Sequence, residues 1–130
     1  MISSGPWPTL PKSAARPFVS IITPTYNRRQ FLPALIQTIK DQSYPKERME
    51  WVILDDGSDS IEDLVKPHLK TINIQYIRSE VKLSIGAKRN QLHDAARGDI
   101  LVCMDDDDYY TEDRVSHAVF VLQSKKASLA

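Results

Sequence analysis

At 130 residues the chain is long enough for one domain with a hydrophobic core and too short for two full-sized ones. Lys plus Arg number 17 and Asp plus Glu number 17, so no global field draws in nucleic acid or an anionic membrane, and electrostatic work must be local. The lone Cys103 excludes an internal disulfide and a multi-cysteine zinc site, which points to a reducing compartment; set in an apolar run, it reads as a small buried hydrophobe. No apolar stretch nears the roughly 20 residues that span a bilayer, and no signal-peptide core opens the chain. The expectation is a cytoplasmic protein without a transmembrane segment, with peripheral membrane contact left open.

Residues 1–17 hold Pro6, Pro8, Pro11 and Pro17 with Ser and Gly between them, a composition that packs poorly alone and reads as a lead-in arm. Residues 18–130 read as the domain. From Phe18, short β-branched runs alternate with helical patterns, the signature of βαβ units. The fold class expected is α/β, an open, twisted, mainly parallel sheet with helices on both faces.

The first strand is Phe18 to Thr23, apolar enough to be buried on both faces and ended by Pro24. Phe31, Leu32, Leu35, Ile36 and Ile39 then recur at helical spacing, and Pro33 requires the helix to start within a turn of it. The second strand, Glu50 to Leu54, runs into Asp55-Asp56-Gly57-Ser58. Ser60 with Asp63 resembles a capping box opening a short helix to about Leu69. A third strand spans Ile72 to Ile77. A helix from about Ile85 to Arg97 follows, closed by Gly98. The fourth strand, Ile100 to Met104, empties into Asp105 to Asp108. Thr111 then caps a last helix with an inward stripe of Val115, Ala118, Val119 and Leu122. Ligands on such sheets bind outside the carboxyl ends of the strands, where Thr25-Tyr26-Asn27, Asp55-Asp56 and Asp105 to Asp108 gather.

Four consecutive carboxylates after an apolar strand repel one another, and a hard divalent cation, Mn²⁺ or Mg²⁺, relieves that while bridging a ligand's phosphates. The alternative is a solvated acidic turn. Asp55-Asp56-Gly57-Ser58 is good turn chemistry by itself; its position gives it a second reading, as acceptor carboxylates for a base or ribose. Tyr26 either stacks on a base or packs at its strand end. Arg89, four residues after Ile85 and three before Leu92, reads as facing inward, where an unpaired charge is costly. Its partner is then an acidic side chain or a substrate phosphate. His68, His93 and His117 show no metal-pair spacing and read as structural or surface residues.

Val19-Ser-Ile-Ile-Thr-Pro-Thr-Tyr-Asn-Arg28, Leu54-Asp-Asp-Gly-Ser58, Gly86-Ala-Lys-Arg-Asn90 and Met104-Asp-Asp-Asp-Asp108, in that order, resemble the family-two inverting glycosyltransferases of the Rossmann-like GT-A fold. The match covers about Phe18 to Leu122. It implies a nucleoside-diphosphate-sugar donor, a UDP-sugar favoured, and a glycan, lipid or protein acceptor. Donor-binding residues would be Pro24, Thr25, Tyr26, Asp56, Arg89, Asp105 and Asp106. Pro24 and Tyr26 would line the base pocket and Asp56 contact the base. Arg89 would face the diphosphate, and Asp105 or Asp106 the ribose or sugar. The metal would rest on Asp107, the principal ligand of the family's Asp-any-Asp motif, with Asp105. The family's general base and most of its acceptor site follow that motif, where only about twenty residues remain. The chain is therefore expected to be a fragment of a longer enzyme or a donor-binding module without full activity.

Two other classes compete. Haloacid-dehalogenase-like phosphatases use adjacent aspartates at a strand end, but after their first strand rather than the fourth. A non-catalytic nucleotide- or metal-binding module is the other. P-loop and dinucleotide fingerprints do not occur.

Overall fold

The computed structural model describes residues 2–5, 17–106 and 109–129, the segment 125–129 as backbone. Five strands form one sheet in the order β1-β4-β3-β2-β5, with β1 Ile2–Ser3, β2 Val19–Thr25, β3 Met49–Asp55, β4 Ile74–Arg78 and β5 Ile100–Cys103. The helices are α1 Leu32–Lys40, α2 Glu62–Val65, α3 Ile85–Ala95 and α4 Arg114–Leu129. Strands β2 to β5 pair in parallel and β1 joins β4 antiparallel, so the mainly parallel sheet read from the sequence is present. The chain winds from β2 to β4 in one direction and returns to lay β5 on the far side of β2. That reversal creates the switch point at which open α/β sheets bind ligands.

Strand β3 is central and every one of its residues is buried, which explains its unbroken apolar run. Alternation then divides its side chains. Trp51 and Ile53 enter the larger core with Leu32, Leu35 and Ile39 of α1, Val65 of α2 and Val115 and Val119 of α4. Val52 and Leu54 pack with Ile22 under Leu92 of α3. Helices thus cover both faces. Each fully buried aliphatic side chain contributes about 1.5–3 kcal/mol. Trp51 also donates its indole N–H to Thr23 Oγ1 (2.9 Å), whose hydroxyl donates to the Met104 carbonyl (2.7 Å). A polar chain therefore fixes where β5 ends and the acidic loop begins.

Several local expectations are corrected. Strand β2 continues through Pro24 to Thr25. The Ile22 carbonyl faces β5, accepting from Met104 N, so Pro24 two residues on also faces the β5 side, where pairing has stopped at Cys103. No ladder bond is lost, and proline is tolerated there. Gly98 is not a left-handed cap: the only positive-φ glycine among the described residues is Gly5. Its need is space, because a Cβ would lie 2.6 Å from Ser20 N. Cys103 is exposed and so is Leu101, since β5 is an edge strand and α3 packs over β2 and β3.

The helix caps also differ. Ser60 Oγ accepts from Glu62 N, but Asp63 binds Arg29 instead of closing a capping box. The Thr111 hydroxyl turns to the Asp113 carboxylate, and the free N–H of Val115 is satisfied by the Gln42 side-chain oxygen (3.0 Å). The Val115 and Val119 stripe is buried, whereas Leu122 is exposed. The first residues of the expected lead-in arm supply β1, with Ser4 Oγ bonded to the Ile72 carbonyl. No helix among the described residues is long and apolar enough to cross a membrane.

Candidate functional site

The polar groups gather at the carboxyl edge of the sheet, where the exits of β2, β3 and β5 lie side by side. Adjacent strand residues point to opposite faces, so Asp55 and Asp56 do different things. Asp55 turns toward the larger core and accepts from Gly57 N (3.0 Å), Ile61 N (3.1 Å) and the Tyr76 hydroxyl (2.6 Å). Burial, and next the bond to Asp55, push the Tyr76 hydroxyl up to about 12. Asp56 turns toward α3, where one oxygen accepts from Leu83 N (2.7 Å) and the other from Lys88 Nζ (3.1 Å). Both carboxylates are fully occluded.

The β2 exit is locked to the loop after β3. Asn27 adopts φ 51°, in the left-handed region that asparagine tolerates, and its Oδ1 accepts from Asp59 N (3.0 Å) and Ser58 Oγ (3.3 Å). Gly57 lies so close that a Cβ would meet Asn27 N at 2.6 Å. Arg29 closes the arrangement from outside, bonding Asp59, Asp63 and the Ser60 carbonyl. Its guanidinium hydrogen bonds hold both carboxyls below their usual range.

The β5 exit is different. Thr25 Oγ1 donates to the buried Asp106 (2.6 Å), joining the ends of β2 and β5. Asp105 is exposed; its backbone N–H is held by the Tyr110 hydroxyl (2.7 Å), and its carboxylate makes no hydrogen bond or ion pair with the described residues. Among the described residues no group of three His, Cys, Asp or Glu converges as a metal cluster. Asp107 and Asp108 lie outside the described residues.

An open cleft of about 370 Å³ lies over the β2 and β3 exits, lined by Tyr26, Asp56, Gly57, Ser58, Arg78, Glu80 and Lys82. Tyr26 is 38% exposed, and Lys82 Nζ stands 4.7 Å from the centre of its ring. Of the donor-binding candidates, Pro24, Thr25, Tyr26, Asp56, Asp105 and Asp106 share this sheet edge. Arg89 is corrected: it is exposed, and the buried cation of α3 is Lys88. Ile85, the anchor of the inward stripe, is 56% exposed because it opens the helix beyond the packed region. The stripe is Lys88, Leu92 and Ala95. The four-residue spacing from Lys88 to Leu92 is the sequence signal for it; Arg78 at the end of β4, and Glu80 and Lys82 in the irregular stretch after it, carry no such local signal. The three histidines are exposed or partly buried, and desolvation lowers the pKa of His68.

The chain is similar to known proteins in sequence and in fold. The family model described as "Glycosyl transferase family 2" matches residues 20–130. The Escherichia coli K12 protein WcaA, provisionally named a colanic acid biosynthesis glycosyl transferase, is 35% identical over 103 residues, covering 77% of this chain and 36% of WcaA. Staphylococcus aureus TarS, a poly(ribitol-phosphate) beta-N-acetylglucosaminyltransferase, is 29% identical over 76% of this chain and 18% of its own length. The crystal structure of TarS 1-349 with UDP superposes with a TM-score of 0.76 at 26% identity, covering 82% of this chain and 32% of that one. A Pyrobaculum calidifontis mannosyltransferase solved with GDP-Man and Mn²⁺ shares the fold, with a TM-score of 0.69 at 24% identity over 89% of this chain and 34% of that one. The chain thus spans about a third or less of the length of these relatives. With the family model covering nearly the whole described sheet and its carboxyl edge, the chain belongs to glycosyl transferase family 2.

Proposed function

We propose that this chain is the donor-binding part of an inverting glycosyltransferase that moves a sugar from a nucleoside diphosphate, a UDP-sugar by preference, to an acceptor hydroxyl. The observation that carries the reading is the convergence of Tyr26, Asp56 and the Asp105–Asp106 pair on one sheet edge in a family-two chain. TarS, similar over 82% of this chain, has been crystallised with UDP and with UDP-GlcNAc, which supports the choice of donor.

Tyr26, which follows Pro24 and Thr25 at the β2 exit, offers an aromatic wall for the base. Arg89 lies on the exposed face of α3, so a diphosphate role for it requires the ligand to reach that outer face. The chemistry of the β5 exit suits a hard divalent cation: Asp105 is exposed, with a carboxylate that no described residue bonds, Asp106 follows it in the chain, and hard cations take oxygen ligands. Asp105, and Asp107 by the family resemblance, would hold Mn²⁺ or Mg²⁺, which when bound would neutralise the departing diphosphate. In the displacement, the acceptor oxygen forms a bond to the anomeric carbon as the bond to the diphosphate oxygen breaks. The hydroxyl proton passes to a general base that we assign to no residue of this chain.

Calorimetric titration of UDP with Mn²⁺, with Mg²⁺ and with chelator tests the reading. Binding should require a divalent ion, because the acidic loop repels a diphosphate on its own. No binding under any condition overturns the donor-site reading. Equal affinity with and without metal removes the metal from it.

A further inference from the structure

The segment 79–84 between β4 and α3 carries Glu80 and Lys82 into the cleft, and both its ends are tied to the β3 exit. At one end Ser79 N donates to the Asp55 carbonyl (2.9 Å). At the other, Leu83 N donates to an oxygen of Asp56 (2.7 Å). The second oxygen of Asp56 takes Lys88 Nζ at 3.1 Å, with the lysine side chain only 10% exposed and the aspartate side chain 0%. Lys88 Nζ also stands 6.0 Å from the centre of the Tyr26 ring.

The Asp56 side chain is 0% exposed, and an unpaired buried charge would be costly. Lys88 therefore fixes the Asp56 carboxylate where it can hold the amide of Leu83, which places Lys82 against Tyr26. We infer that Lys88 is a positioning residue: acting through Asp56, it holds the 79–84 loop in the shape that forms the base-binding wall of the cleft. This inference rests on the donor-site reading above and concerns the base half of the ligand, not its phosphates. Lys88 stands behind the cleft wall, bonded to Asp56, whereas Lys82 and Tyr26 line the cleft itself.

The test compares two probes in the presence of Mn²⁺: UDP, which carries a base, and inorganic pyrophosphate, which does not. In Lys88→Met, affinity for UDP should fall about tenfold or more while pyrophosphate changes less than about twofold, and Lys88→Arg should recover most of the loss. Lys82→Ala, a change at an exposed side chain, should show the same selective loss, and it decides the matter if Lys88→Met does not fold. A parallel fall for both probes in folded Lys88→Met would mean a general structural role or phosphate contact, and overturns the inference. So does unchanged UDP affinity in Lys82→Ala. If the parent binds neither probe, the donor-site reading itself fails and takes this inference with it.

Discussion

The β3 and β5 exits each present adjacent aspartates at the same sheet edge, yet they are in opposite states. At β3 both carboxylates are occluded and spent on internal donors: Asp55 on two amides and the Tyr76 hydroxyl, Asp56 on an amide and Lys88. At β5, Asp106 is engaged by Thr25 but Asp105 is exposed, its carboxylate unengaged by any of the described residues. A carboxylate with its donors already in place shapes a loop, whereas one without them is available to a cation. Acidic residues at a strand end thus become structural or ligand-binding according to what the neighbouring loops supply.

The largest effect should come from breaking the spent side. Asp55→Ala strands two amides and a phenol in a buried site, so chemical denaturation should show a loss of about 3–5 kcal/mol. Gly57→Ala forces a Cβ against the Asn27 backbone and should cost about 1–3 kcal/mol, measured the same way. It should also weaken UDP binding, because Gly57 lines the cleft.

A smaller, pH-dependent effect sharpens the comparison. The Tyr76 hydroxyl, raised from 10.0 to about 12 by burial first and its bond to Asp55 next, stabilises the fold while protonated. Its contribution is whole below about pH 10 and is lost as pH rises toward about 12. Thermal melts of Tyr76→Phe should lack this alkaline limb. Arg29→Ala should do least: its ion pairs with Asp59 and Asp63 are solvent-exposed, and such pairs contribute little. A melting temperature far below the parent's would show that the Arg29 clamp holds the loop more firmly than its exposure implies.

The sheet was legible because buried parallel strands write themselves as continuous apolar runs, and β3 shows this along its whole length. The site's location followed from topology, since polar residues after three strands must meet at one edge. What was not legible depended on partners far along the chain. The Val115 amide is satisfied by Gln42, 73 residues away, and no local cap motif announces that. Cys103 reads as buried from its neighbours, yet exposure at an edge depends on strand order. Period-two alternation alone could have separated Asp55 from Asp56. The inward cation is hidden because Ile85, apolar but at the helix mouth, sets a false phase that points to Arg89 in place of Lys88.

The contrast between the two exits rests on Asp105 being free for a ligand. Asp105→Asn tests it in one thermal-shift series, read with and without UDP and Mn²⁺. The account predicts that the ligand-free melting temperature stays level or rises, because one charge leaves a crowded acidic loop. The rise that UDP and Mn²⁺ give the parent by mass action should be largely lost. A variant that melts lower without ligand yet keeps the full ligand-induced rise would contradict the account and place Asp105 among the structural carboxylates.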